Sequence, residues 1–546
     1  SSAAQTTTST IEGTVTDPNG AVVAGATVKV SAVTLATERS ATTDTEGFYR
    51  IPALPAGTYT LTISGKGFAA RTSNVELTLN RVATFDVKLQ VGAVGTEVTV
   101  TDELPLLETN ASSSGATVTP KQIQDLPVNG REYLDLLQLV PGVAINRQSS
   151  GDNANPVLGE RSGNNNFFID GQPNKDTVNG GAAAQFNQET IAEFQVLTTG
   201  FKAEFGQASG AVVNVITKSG SNGYHGVGSF FHRNEALDSV NSLDPTVKDP
   251  LHLRRFDYSI AGGGPIFKEK VFFFGSSERI TEDRAIDFKY PNLGTTAGAA
   301  TVLQLLHAQE DPLNIPERER ATRNFFKLDE HFGRHQLVQE LNYTNGYDRG
   351  FGGGLPSTRT STGSRHLLLG FGDTILFGDL ASPWLVTLHG SYRGEPGDTQ
   401  PTHPEFTGST ALSSFSVVRP CPNTTTVPAS GCNSANLFGD LPTITFGNPT
   451  TLASLNQQYT SVSANVNKRY GDHDLKFGWQ FLRTHVDGLD SLTLTNQLFP
   501  TVNDYINFGP VNSGIFLLLN AGGATPEARN IRLRNNYNGV YGQDDW

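Results

Sequence analysis

Two cysteines and no methionine occur among the 546 residues, and only 17% of the chain is charged, where about a quarter is usual. What charge there is leans acidic: Lys+Arg 40 against Asp+Glu 53 gives a net of −13. That balance gives no electrostatic case for nucleic-acid binding, which needs a basic face to displace phosphate counterions, so no nucleic-acid partner is expected. Long apolar runs are missing as well. The longest, such as Ile515–Leu519 and Val271–Phe274, fall far short of the roughly 18 residues of a membrane-spanning helix, so any membrane crossing must use strands. The start at Ser1 and the lack of methionine fit a chain whose signal peptide has been removed, although an arbitrary starting point would look the same.

Catalytic signatures are also missing. No HExxH or GxSxG occurs, so neither a zinc hydrolase nor a serine hydrolase has its first residues. Gly262–Pro265 is glycine-rich but lacks the Lys-Ser/Thr and the helix of a phosphate loop. His331 and His335 have the spacing of helical metal ligands, but Gly333 between them suits a hairpin turn. The expectation is therefore a protein that is not an enzyme, with no catalytic residues, no metal and no cofactor. Cys421 and Cys432 bound the polar stretch CPNTTTVPASGC, which suggests a local disulfide formed outside the cytoplasm; two unpaired thiols are the alternative.

Glycine and proline, by contrast, are plentiful, 57 and 28, so the chain is rich in turns. Residues 1–10 are a small polar tail expected to be disordered. From 11 to 90 short alternating strands, including Ile11/Gly13/Val15, Val28/Val30 and Tyr59/Leu61/Ile63, are punctuated by turn signals at the spacing of a β-sandwich. The words GTVTDPNGAVVAGATVKV and TTDTEGFYRIPALPAGTYTLTISGKGF closely resemble the carboxypeptidase-regulatory-like domain, a seven-stranded sandwich of prealbumin type. Residues 91–102 form a linker holding one β-prone hexamer, Thr96, Glu97, Val98, Thr99, Val100 and Thr101. Lying outside any domain pattern, its unpaired backbone invites pairing with another sheet edge. It resembles the TonB box of outer-membrane receptors; the alternative is a last sandwich strand or plain linker.

Residues 103–222 read as an α/β unit, with Thr119 capping a helix that starts at Pro120 and with Tyr133, Leu136, Leu137 and Val140 on one helical face before Pro141-Gly142. NNNFFIDGQ, AEFGQASGAVVNVITKSGSNGYHG and YSIAGGGPIFKEKVFFFGSSERI resemble the plug domain and first barrel strands of the TonB-dependent receptors, in particular the Oar-like branch that carries an N-terminal sandwich. Asp170, Glu193 and Glu204 in this unit are gating contacts or, on the reading favoured from sequence, solvated turn residues. Gly163, Gly171, Gly206 and Gly210 are expected to permit tight turns.

Residues 223–546 alternate apolar and polar side chains. Trp384, Val386, Leu388 and Tyr392 oppose Thr387, His389, Ser391 and Arg393; Leu475, Phe477, Trp479 and Phe481 oppose Lys476, Gly478 and Gln480; Phe256, Tyr258 and Ile260 oppose Asp257 and Ser259. A soluble β-protein with a buried face would alternate too. Aromatics expected near strand ends (Tyr343, Trp384, Tyr392, Trp479, Trp546), long polar segments such as 394–457 alternating with short turns such as Gly471–His473, and the plug words before them all favour a transmembrane barrel. Barrels of plugged transporters have about 22 strands of 9–11 residues each, and 323 residues are too few for that with long loops, so the barrel is expected to be incomplete in this chain.

The fold expected is mainly β: a prealbumin-like sandwich, an α/β plug and an antiparallel transmembrane barrel. The resemblance implies a bacterial outer-membrane receptor that takes up a large substrate (oligosaccharide, peptide or metal chelate) using force from TonB, with ExbB/ExbD, through residues 96–101. Its partners would be TonB in the periplasm, an extracellular substrate and outer-membrane lipid. A surface protein anchored in the outer membrane for adhesion or structure, without transport, is the alternative.

Overall fold

The computed structural model describes residues 8–32, 38–79, 81–92, 97–99, 114–126, 128, 131–144, 157–160, 162–176, 180–206, 208–239, 252–286, 315–351, 360–378, 383–401, 415–418, 443–446, 453–471, 473–489, 497–499 and 530–545. Among them, no helix is long and apolar enough to cross a membrane.

The first body is a two-sheet sandwich. Its strands are β1 (Ser9–Thr16), β2 (Thr27–Ser31), β3 (Arg39–Thr42), β4 (Phe48–Leu54), β5 (Gly57–Ser64), β6 (Ala70–Leu77), β7 (Val82–Thr84) and β8 (Val87–Lys88). One sheet runs β4-β1-β7 with β8 also on β1, and the other contains β3-β2-β5-β6. The expected seven strands become eight because the last is interrupted at Phe85 and Asp86. Strand alternation buries Ile11, Val15, Val28, Val30, Tyr59 and Leu61 completely between the sheets. The turn into β4 forms as its residues dictate: Asp44 Oδ1 accepts from the N–H groups of Glu46 and Phe48 at 2.9 Å, and Gly47 takes φ +74°.

A ninth strand, β9 (Glu97–Thr99), pairs in parallel with β6, with Val98 opposite Arg71. This corrects the placing of the hexamer outside any domain. The edge of β6 offers unpaired backbone groups, and a β-prone segment a short distance along the chain satisfies them. Thr96, Val100 and Thr101 lie outside the described residues, as do Cys421, Cys432 and Trp546.

The second body has β10 (Ser114–Val118), α1 (Pro120–Asp125), β11 (Asn166–Ile169), β12 (Gln172–Pro173), β13 (Ile191–Thr199) and β14 (Val212–Thr217) in a sheet ordered β10-β13-β14-β11-β12. Thr119 caps α1 in a reciprocal capping box with Gln122, and Pro120 opens the helix. Tyr133–Leu139 is a 3₁₀ helix, not the α-helix the pattern suggests. A segment this short, stopped by Pro141, gains few α-type bonds, and residues three apart share a face in either form, so Tyr133, Leu136, Leu137 and Val140 are buried as expected. β14 is buried on both faces: Val213 and Val215 pack into one apolar cluster with Tyr133 and Phe194, and Val212 into another with Phe168 and Phe205.

The third body is one antiparallel sheet of ten long strands: β15 (His225–Asn234), β16 (Leu253–Phe267), β17 (Val271–Ile286), β18 (Ile315–Phe332), β19 (His335–Phe351), β20 (Thr360–Phe377), β21 (Trp384–Pro401), β24 (Ala453–Tyr470), β25 (His473–Leu489) and β27 (Asn530–Asp545). Three short strands, β22 (Phe415–Val418), β23 (Thr443–Phe446) and β26 (Gln497–Phe499), form a separate sheet within the long connections. The segment 394–457 is therefore not one polar loop, since β21 runs on to Pro401. The connections at one end are tight, with Gly333 and Gly471 at φ +60°, and those at the other are long. Short turns at one end and long connections at the other are the asymmetry of a transmembrane barrel.

Alternation holds along these strands. Phe477, Trp479, Tyr258 and Ile260 are exposed on one face, while Lys476, Gln480, Asp257 and Ser259 are buried on the other, against the second body. Of the expected girdle aromatics, Trp384 opens its strand, but Tyr343 and Tyr392 stand eight residues in. The reason is length: strands of 16–18 residues exceed the 9–11 needed to cross, so they rise beyond the hydrocarbon band and their outer-girdle positions fall mid-strand. β15 and β27 are the two edges of the sheet, and among the described residues no strand joins them.

Candidate functional site

The site is the polar seam between the second body and the inner wall of the long-stranded sheet. The tight turn after β11 carries Asp170, held at φ +45°, followed by Gly171 at φ +79°. A non-glycine residue in that region is strained, and here the surroundings hold it. Asp170 accepts from Thr217 N at 3.0 Å and from the Thr217 hydroxyl. Lys327 of β18 reaches in from the wall to Asp170 Oδ2 at 3.2 Å and Thr217 Oγ1 at 3.1 Å. Beside this pair lies a cavity of about 110 Å³ lined by Asp170, Gln172, Lys327, Asp329, Glu340 and His389. Its polar walls suit water, which lowers the cost of separating the charges.

Two further ion pairs cross the seam. Lys476 of β25 bonds Glu204 at 3.2 Å, with the carboxylate side chain only 1% exposed. Arg323 of β18 bridges Glu278 in the wall, at 3.1 Å, and Glu132 in the second body. Arg131, paired with Glu189 at 2.6 Å, lies 4.2 Å over the Phe231 ring of β15. Backbone carbonyls are used too: Arg393 donates to Lys175 O at 2.6 Å, and Gln172 to Phe371 O at 3.2 Å. Apolar contacts stand among them: Phe186 lies edge-on to Phe325 at 5.8 Å, and Ala261, Phe274 and Leu368 of the wall join the second body's buried apolar cluster. Around that apolar patch the seam is held by directional polar contacts that other polar groups or water can replace.

Asp170 and Glu204 are therefore wall contacts, not the solvated turn residues favoured from sequence, and burial explains the difference. Glu193 is also buried, but it faces the sandwich: its Oε1 accepts from Leu79 N at 2.6 Å. Burial pushes its carboxyl up from the ordinary 4.5 to about 7, against the opposing bond from Leu79; Glu76 raises it further and Arg81 lowers it. Gly171 serves its turn as expected, and a Cβ on Gly210 would meet Asn165 Oδ1 at 2.5 Å.

The wall residues Lys327, Lys476 and Arg323 were not singled out by charge. Their signal lay in the alternation, which puts a cation on the inward face of an otherwise aromatic strand such as DLKFGWQF. The sandwich also grips the rim of the long sheet, where Arg469 pairs with Glu12 at 2.8 Å and Arg50 with Asp474 at 3.1 Å. No spacing in the sequence links these four residues.

Comparison with known families resolves what these bodies are. Residues 10–90 match the carboxypeptidase regulatory-like domain, residues 107–213 the TonB-dependent receptor plug domain and residues 216–324 an outer membrane beta barrel domain. The TonB-dependent transporter Oar of Myxococcus xanthus is 30% identical over 292 residues, 50% of this chain and 27% of that protein.

The chain is similar to the Oar-like TonB-dependent receptors of the bacterial outer membrane.

It spans about a quarter of the length of that curated relative. Among solved structures, the outer membrane transporter YddB from Escherichia coli is 12% identical at a TM-score of 0.47, with 79% of this chain and 53% of that one covered. The siderophore receptor PiuA from Acinetobacter baumannii is 11% identical at 0.45, covering 80% and 62%. Neither likeness bears on what this chain binds. The second body is its plug, and the ten strands are barrel wall.

Proposed function

We propose that this chain works in energy-coupled uptake: a large substrate, an oligosaccharide, peptide or metal chelate, is taken from outside the cell, and TonB, driven by ExbB/ExbD, supplies the force that remodels the plug. The polar seam carries this reading. A plug held by Asp170–Lys327, Glu204–Lys476 and Glu132–Arg323 exchanges its contacts for water at modest cost when pulled, whereas an apolar seat of the same area would resist. A protein serving only as an anchor has no use for a plug seated this way.

Force enters at residues 96–101. The Glu97–Thr99 backbone, at the edge of the sandwich, is the part an incoming TonB strand pairs with, in competition with β6. Val98→Pro removes a ladder donor. The expected outcome is loss of uptake with membrane insertion intact. Uptake at the wild-type rate would sink the coupling role of this strand, and surface binding independent of the proton gradient would favour the adhesive alternative.

A further inference from the structure

We infer that the N-terminal sandwich is a lid on the tight-turn end of the barrel, fastened by a four-residue ionic latch, and that it restrains the plug until the latch opens. The latch alternates in sign. Asp474 of the barrel pairs with Arg50 of β4 at 3.1 Å, Arg50 lies 3.7 Å from Glu12 of β1, and Glu12 pairs with Arg469 of the barrel at 2.8 Å. Each domain brings a preset pair of opposite charges. Glu12 and Arg50 are cross-strand neighbours in the sandwich, while Arg469 and Asp474 flank Gly471 in the turn between β24 and β25. Arg469 also stands 4.9 Å over the Phe48 ring of the sandwich. A second foothold lies farther along the rim, where Arg39 of β3 comes within electrostatic reach of His331 at the β18–β19 turn. In sheet order the two turns are four strand spacings apart, about 19 Å, so the sandwich lies along the mouth instead of touching it at one point. Its third contact is with the plug, where Leu79 N donates to Glu193 Oε1 at 2.6 Å.

The contacts that hold the sandwich are of a kind that opens. Among the described residues, its buried apolar cluster, from Ile11 to Leu89, contains no residue of the plug or the barrel, whereas the plug's cluster takes in Ala261, Phe274, Phe325 and Leu368 of the wall. An interface without a shared apolar core leaves two domains free to move apart. The barrel members of the latch keep some exposure, 27% for Arg469 and 24% for Asp474, so water and salt reach the charges. A cavity of about 70 Å³ behind them, lined from all three domains, has room for that water. The sandwich is therefore the part that leaves first, and the apolar-seated plug the part that follows. The order rests on the proposed coupling role of residues 96–101: β9 sits on β6, so a pull on Glu97–Thr99 loads the sandwich, and through it the latch, as well as the chain that leads on to the plug.

The test is hydrogen exchange on the full chain in detergent micelles at constant pH, read at two amides. Leu79 N–H, held by Glu193, reports the sandwich–plug contact, and Thr217 N–H, held by Asp170, reports the plug–wall seam. Arg469→Glu with Asp474→Lys reverses the latch from the barrel side and leaves the sandwich untouched. Both amides should then exchange about tenfold faster or more. Adding Glu12→Arg and Arg50→Glu restores opposite signs at every contact of the latch and should return both rates toward wild type. Lys121→Gln, on the exposed face of α1, should change neither rate. If a latch variant fails to fold, wild type in about 1 M sodium chloride, which screens partly exposed pairs, is read in its place and should show the same two accelerations. Leu79 exchanging at the wild-type rate with the latch reversed or screened overturns the inference, because the latch then does not hold the sandwich. Faster exchange at Leu79 with Thr217 unchanged overturns it as well, because the sandwich then does not restrain the plug, and so does a folded four-residue swap without rescue. Neither amide reports uptake or TonB, so wild-type uptake by Val98→Pro would refute the coupling role of residues 96–101 and leave these outcomes to be judged separately.

Discussion

Acid should tighten the seat of the sandwich on the plug, and Glu193 is the reason. Its carboxyl is buried against Leu79, and its proton affinity rises from the ordinary 4.5 to about 7 on docking. At 1.36 kcal/mol for each tenfold change, that difference is worth about 3 kcal/mol. The docked state holds the extra proton, so docking is firmest below about pH 4.5, weakens as pH rises toward about 7, and is level above that. The undocked population should therefore grow by roughly a hundredfold across that window. Hydrogen exchange at the Leu79 amide, corrected for its intrinsic pH dependence, reads this directly. Wild type should lose protection between about pH 4.5 and about pH 7, while Glu193→Gln, which cannot ionise, should stay flat. Equal pH profiles in the two proteins would refute the argument, because the proton would then not be bound at Glu193.

Three other outcomes are expected. Phe371→Arg places a cation on the outward face of β20, six residues from the periplasmic strand end and close to the bilayer midplane, and should cost about 2–4 kcal/mol in refolding into lipid vesicles. Glu204→Gln removes the buried carboxylate that Lys476 bonds at 3.2 Å and should destabilise the plug by about 3–5 kcal/mol in denaturant melts, with much of the loss recovered by adding Lys476→Met. Gly13→Ala puts a Cβ 2.0 Å from the Phe85 carbonyl oxygen, which is backbone and cannot give way cheaply; a loss of about 1–3 kcal/mol or more in thermal unfolding of the sandwich should follow, and a wild-type melt would contradict the close packing of β1 on that strand.

Much of the fold could be read from local chemistry because local rules govern it. Thr119-Pro120 announces a capped helix whatever packs against it, and Asp44 to Gly47 closes its turn with its own side chain. The period-two alternation in WLVTLHGSYR assigns inward and outward faces without knowledge of the partner strands, since Cβ direction is a property of one extended backbone. The 3₁₀ geometry of Tyr133–Leu139 escaped because an i, i+3 pattern is common to both helix types.

The candidate site was only half legible. Its acidic members, Asp170, Glu193 and Glu204, stood out in the plug words, but their burial did not, because a carboxylate in a Gly-rich turn looks the same solvated or paired. Their partners lie far away in sequence: Lys327 is 157 residues from Asp170, and Lys476 is 272 from Glu204. The sequence by itself determined strand period, turn chemistry and the order of the three domains. Only the tertiary structure decided which charges meet across the seam, that Glu97–Thr99 settles on the edge of β6, and that Glu12 meets Arg469 where the sandwich sits on the rim. The physical reason is range: backbone preference acts over a few residues, whereas desolvation and charge pairing depend on what the whole fold brings within about 4 Å.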